Sequence, residues 1–226
     1  MRKLAVAAAV LAAVTVVSQA SATPPPWAHG HGGGGGAPSS YSIGLIAPWG
    51  PAALTAPDTI TLSYSVSASS NVSQTAVQAA LNAASAWAGW LSSHDGSGHF
   101  NVQQGTGGVT VPITIKNGGG TVAGQTKLSY DRQGFIKGAT VQISGSSFGL
   151  ANNYDTVYEI VLHELGHAFV GLGHSTDPTD LMYPTLNGSN SIGTCEAHGF
   201  DALYGWLEDG NAATGPTRPS GSSTSC

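Results

Sequence analysis

Residues 163–184 read His163-Glu164-Leu165-Gly166-His167, then Gly171-Leu172-Gly173-His174, then Leu181-Met182-Tyr183-Pro184, with short connections between. Two histidines four residues apart on a helix lie on one face, a turn apart. Both imidazoles then reach a single metal ion, and Glu164, beside His163, reaches a water on that ion. In this arrangement a zinc ion polarises a carbonyl and acidifies its water while the carboxylate takes the proton. The pentapeptide alone is short enough to arise by chance, and a helical histidine is more often a satisfied core or surface residue. Three neighbours argue for the metal. Tyr158 to Leu162 reads as a buried helix running into the motif, His174 follows a Gly-Leu-Gly turn that swings it back, and Leu181-Met182-Tyr183-Pro184 comes within a few residues.

The stretch from His163 to Pro184 resembles the metzincin clan of zinc peptidases and, within it, the matrixin (matrix metalloproteinase-like) family. The resemblance implies that His163, His167 and His174 hold one catalytic zinc and that Glu164 is the general base. It makes Gly171 the turn glycine and Met182 the methionine of the Met-turn, a packed floor below the metal. Ser175 after the third histidine and Tyr183-Pro184 after the methionine favour matrixins. Gly199-Phe200-Asp201-Ala202-Leu203-Tyr204-Gly205 is similar to the Gly-Ile-Gln-x-Leu-Tyr-Gly that closes matrixin domains. The fold implied is α+β: a twisted, mostly parallel sheet with an antiparallel edge strand, two long helices and a C-terminal helix. The function implied is that of a secreted zinc endopeptidase acting on protein or peptide substrates.

The spacing departs from the family by one residue. From His167 the distances are four to Gly171 and seven to His174, where the metzincin motif has three and six; the extra residue is most simply Val170. One added residue turns every later position on a helix by about 100°. A π-type bulge or a longer exit turn absorbs it, and Gly171-Leu172-Gly173 supplies backbone for a tight reversal. The departure keeps other readings open. Asp201-Ala202-Leu203-Tyr204-Gly205 has the spacing with which aspzincin peptidases complete the motif, and Glu196 suits a glutamate-type site. A non-catalytic secreted zinc-binding or interaction protein is a third possibility, although such a site has no need of Glu164.

Met1 to Ala22 reads as a signal peptide: a basic Arg2-Lys3 start, an apolar Leu4 to Val17 and a small-residue cleavage site at Ala20-Ser21-Ala22. Its apolar run is shorter than the roughly 20 residues a spanning helix needs. The protein is therefore expected outside the cell, secreted or at the cell surface, without a membrane span after cleavage. Losing Arg2 and Lys3 leaves five basic residues against twelve acidic ones, 5 − 12 = −7. With no basic cluster left, nucleic acid is excluded as a partner class, and a monomer is expected. Residues 23–40, with Pro24-Pro25-Pro26 and a run from Gly32 to Gly36, read as a linker. A catalytic domain is expected over 41–207 and a disordered polar tail over 208–226. Cys195 and Cys226 are the two cysteines, and in an exported chain they can pair.

Alternation predicts strands at Thr59 to Val66, Phe100 to Gln104, Val109 to Lys116, Thr126 to Asp131 and Thr140 to Ser144. Helical spacing of Val77, Leu81, Ala84, Trp87 (or Ala88) and Leu91 predicts a helix over 72–91. A second is expected over 153–168, started by a Thr156-x-x-Glu159 capping box, and a third over 197–207. Gly124 to Tyr130 takes the place of the metzincin edge strand that binds extended substrate. His94, Asp95 and His99 read as ordinary loop residues. The His/Asp-rich segment that holds the matrixin structural zinc is not found, so no such ion is expected; calcium is left open. No cysteine precedes Cys195, so the family's cysteine latch is not expected either. The loop from Thr185 to Thr194, with Leu186 and Ile192, is expected to shape the specificity pocket.

Overall fold

Strands β1 (Ser42–Leu45), β2 (Leu54–Ala56) and β3 (Thr59–Ala68) are followed by helix α1 (Gln74–His94). Then come β4 (Phe100–Gln104), β5 (Val109–Lys116), β6 (Gly124–Tyr130) and β7 (Ile136–Ser144). Helix α2 (Tyr154–Leu165) runs directly into a π-helical turn, Gly166–Val170, and on to β8 (Leu172–Ser175), α3 (Thr194–Glu208) and β9 (Ser223–Ser225). This computed structural model describes residues 41–56, 58–96, 98–117, 122–144, 153–208 and 221–226. The expected signal peptide (1–22) and linker (23–40), and residues 209–220 of the expected tail, lie outside the described residues.

The architecture is α+β. β3, β5 and β7 pair in parallel, β4 runs parallel along the other side of β3, and β6 lies antiparallel to β7 at the edge. The cause is side-chain alternation: Val111, Ile113 and Ile115 of β5 and Val141 and Ile143 of β7 point to the helices and are buried, while Thr114 and Gln142 face out. β6 alternates likewise, turning Gly124, Thr126 and Leu128 inward and Gln125 and Lys127 outward.

Ser73 caps α1, accepting from the Ala76 N–H at 3.2 Å. The buried stripe of α1 differs from the expected one. Its centre is Ala76, Ala79, Ala80, Ala83, Ala84, Trp87 and Leu91, with Val77 and Leu81 only half-buried. The alanines let α2 come close, and the Trp87 indole bonds across to the Leu162 carbonyl at 2.7 Å. The cap of α2 also differs. Asn153, not a Thr156 capping box, starts the helix by accepting from the Thr156 N–H, and Glu159 is drawn away to the Asn187 and Gly188 N–H groups, both at 2.9 Å.

A second sheet lies beyond the sequence expectation. β1 sits between β8 and β9, antiparallel to both. Residues 223–225, within the stretch expected to be disordered, are thus a strand, because β1 offers them an open edge. A disulfide joins Cys195 at the start of α3 to Cys226. No helix among the described residues is long and apolar enough to cross a membrane.

The disulfide closes a loop with a sequence separation of 31, which corresponds to about 4 kcal/mol of chain-entropy stabilisation. Replacing both cysteines by serine is expected to lower Tm by about 8–16 °C. An unchanged melting curve in calorimetry would show that the link constrains nothing.

Candidate metal centre

The extra residue sits where the helix changes pitch. α2 keeps α geometry to Leu165, and the π-helical turn from Gly166 to Val170 takes up the added length. Gly171 ends the turn with φ 83°, the left-handed region open to glycine. A Cβ there would also run into the Ala47 carbonyl. Gly173 plays another part than the one expected of it. It has no positive φ; Leu172–Ser175 is a strand, and Gly173 packs on Gly44 so closely that a Cβ would stand 3.0 Å from the Gly44 Cα. The reversal belongs to Gly171 alone, and the close approach of β8 to β1 then aims His174 back at the helix.

His163, His167 and His174 meet. One nitrogen of each ring lies within 4.8 Å of the others, and the ring centroids are 4.9, 5.4 and 5.0 Å apart. His163 Nδ1 faces the Leu181 carbonyl at 2.8 Å, and His167 Nδ1 faces the Leu172 carbonyl at 2.7 Å. A carbonyl only accepts, so each Nδ1 carries the proton and each Nε2 presents a lone pair. Burial lowers the pKa of His163 against the bond to Leu181, lowers His167 to about 4, and lowers His174. All three are thus neutral near pH 7, the form that binds metal. His174 is the exposed one of the three, which leaves the cluster open on its side. Three neutral imidazoles with one open face fit the donor set of a catalytic zinc.

Glu164 is 7% exposed. Burial raises its pKa, while hydrogen bonding from Thr126 opposes the rise. Met182 is fully buried, with its sulfur against Gly166, where a Cβ would collide with it. Asp201 is elsewhere: its carboxylate is 2.9 Å from His94 Nε2. Glu196 is fully buried and accepts from the Gly193 N–H at 2.7 Å, away from the histidine cluster. Neither therefore completes the histidine pair in this structure.

A pocket of about 120 Å³ opens beside Glu164, lined by Gly124, Ile160, His163, Tyr183, Thr185 and Leu186 among others. Leu186 is placed as expected, whereas Ile192 packs against the core instead. Sequence reasoning missed the residues that support the helix end. Trp49 Nε1 donates to the Phe169 carbonyl at 2.9 Å and the Tyr204 hydroxyl to the Val170 carbonyl at 2.9 Å. These bonds span more than thirty residues of chain, and no local spacing announces them.

The matrixin family profile (peptidase M10) matches residues 57–205. The chain belongs to the matrixin family. It is similar to matrix metalloproteinase-20 of Homo sapiens, 42% identical over 60 residues, which are 25% of this chain and 12% of that protein. It is also similar to the interstitial collagenase of Oryctolagus cuniculus, 38% identical over 69 residues, 30% of this chain and 14% of the relative. The matched region is therefore a small part of those relatives' length. Among solved structures, metalloproteinase-II from Bacteroides fragilis aligns with a TM-score of 0.40 and 16% identity, over 68% of this chain and 55% of that one. A matrixin domain is a zinc metallopeptidase domain, and the family implies zinc for this chain.

Glu196 gives a test of the electrostatics under the Met-turn. Its Oε1 is buried without a donor. Burial, then the neighbouring Asp180 carboxylate, push its pKa up to about 8. Between pH 4.5 and 8 the folded state holds this proton and the unfolded chain does not, so stability falls as pH rises through that window. Glu196→Gln is expected to match wild type in Tm near pH 4.5 and to melt several degrees above it at pH 9. The same Tm difference at both pH values would refute the buried proton.

Proposed function

We propose that this matrixin is a secreted zinc endopeptidase in which His163, His167 and His174 hold the metal and Glu164 is the general base. The observation that carries the reading is the convergence of three neutral imidazoles beside a buried carboxylate that borders a pocket. Zinc, when bound, supplies the Lewis acidity that activates water and polarises the scissile carbonyl. Glu164 takes the proton of the attacking water and delivers it to the leaving amine. Its raised pKa suits both halves of that task. The Leu181 and Leu172 carbonyls keep two rings in the ligating tautomer.

Substrate is proposed to lie extended along β6, whose outer edge has no strand partner among the described residues, using main-chain hydrogen bonds. The pocket beside Glu164, with Ile160, Pro184 and Leu186 in its wall, favours an apolar side chain of modest size next to the cleaved bond. Export is supported by the signal-like start of the chain and by the Cys195–Cys226 bond, which persists in oxidising compartments.

The deciding experiment is cleavage of an unstructured protein by the purified full chain, with zinc measured on the same sample. Wild type is expected to cleave and to hold one zinc. Glu164→Gln is expected to keep the zinc and lose at least about 100-fold in kcat, and His174→Ala to lose both. Zinc on both wild type and Glu164→Gln with cleavage by neither would leave a zinc-binding protein without peptidase activity. A peptidic inhibitor soaked into crystals is expected to bond to the main chain of residues 124–130; a pose without those bonds would remove the role of β6.

A further inference from the structure

The inward positions of β6 meet the active-site carboxylate directly. Thr126 Oγ1 lies 2.6 Å from Glu164 Oε2 and 2.9 Å from the Glu164 backbone carbonyl. Two residues earlier, a Cβ on Gly124 would stand 2.6 Å from Glu164 Oε1 and 2.8 Å from its Cγ. The strand therefore touches both faces of one carboxylate: a donor on one oxygen, bare backbone beside the other. Both contacts follow from the two-residue period of a strand, which brings Gly124 and Thr126 to the same side.

Glu164 is held by little else. Thr126 is the hydrogen-bond partner of its carboxylate, through its hydroxyl to Oε2 and also through its backbone N–H. A glutamate side chain has three torsions to settle, and a general base must sit within hydrogen-bond reach of the proton it takes. A misplacement of about 1 Å is enough to cost a large factor in rate.

We infer that Thr126 is a positioning residue for Glu164: its hydroxyl holds Oε2 and turns Oε1 toward the reacting water. Gly124 leaves the space in which that oxygen stands. The hydroxyl has a single proton and two acceptors in reach. While Glu164 is ionised the charged oxygen takes it, since charge-assisted bonds are the stronger. Once Oε1 has received a proton from water, Oε2 is the carbonyl oxygen of the neutral acid and still accepts from the hydroxyl. Thr126 thus keeps hold of the side chain through the whole proton transfer, and the position calls for a hydroxyl, not merely for a residue of this size.

The inference rests on Glu164 being the base, as proposed above, and the test separates the two. Thr126→Val keeps the shape, the β6 main chain and the backbone N–H but removes the hydroxyl donor; Thr126→Ser keeps the hydroxyl. Peptide hydrolysis and bound zinc are measured for wild type, both variants and Glu164→Gln. Thr126→Val is expected to lose roughly 10- to 100-fold in kcat, with KM within about twofold and zinc unchanged, and Thr126→Ser to recover most of the rate. A wild-type kcat in Thr126→Val overturns the inference. So does a loss that Thr126→Ser shares in full, which would assign the effect to the methyl group's packing, and so does a loss confined to KM. A crystal structure of Thr126→Val with the Glu164 carboxylate unmoved overturns it as well. If Glu164→Gln cleaves as wild type does, or wild type does not cleave, the reading of Glu164 falls instead and the role of Thr126 falls with it.

Discussion

One added residue between the second and third histidines is the constraint to which the rest of the site is fitted. On an unbroken α-helix it would rotate everything beyond it by about 100° and send His174 away from its partners. The chain lets the helix widen over Gly166–Val170 and then reverses at Gly171. A widened helix end exposes carbonyls that a regular one would tie up. Here they are met by side chains from distant segments: Trp49 before the main sheet and Tyr204 from α3. Both indole and phenol are buried, so the same residues fill the core and satisfy the backbone. The insertion is tolerated because three parts of the fold close around it.

Burial then sets the chemistry. Taking charge out of water disfavours the ionised form, which keeps the imidazoles neutral and makes the carboxylate reluctant to ionise. The local hydrogen bonds act in the opposite sense on His163, His167 and Glu164. They fix where the proton sits on the His163 and His167 rings and restore part of the ionised form of Glu164. The Met-turn is drawn into the same arrangement, since the Leu181 carbonyl that orients His163 directly precedes the buried Met182.

Features with a short period are legible in the sequence. The β4 and β5 limits, the edge strand and the helix carrying His163 and His167 all come from alternation or from a four-residue spacing. The need for a bulge is legible too, because a count of residues against a known spacing demands it. The α1 stripe is misplaced when read from its large residues, whereas the buried centre is alanine, suited to close helix approach. Asn153 is hidden as a cap because Thr156 and Glu159 have capping-box spacing, and only the fold shows Glu159 engaged with the loop at Asn187. Thr126, Trp49 and Tyr204 carry no local signal at all: each acts on a residue at least 34 positions away.

The placement of β8 has a bearing on how the protein folds. His163 and His167 are brought together by one helical turn, a local event. His174 is aimed by a strand whose partner residues, Ile43 and Ser175, are separated by nearly the whole domain. Pairs so distant in sequence close slowly, since the loop entropy must be overcome before the contact forms. The approach of His163 to His167 is thus a property of one helix, whereas the three-histidine cluster belongs to the domain with β1 in place.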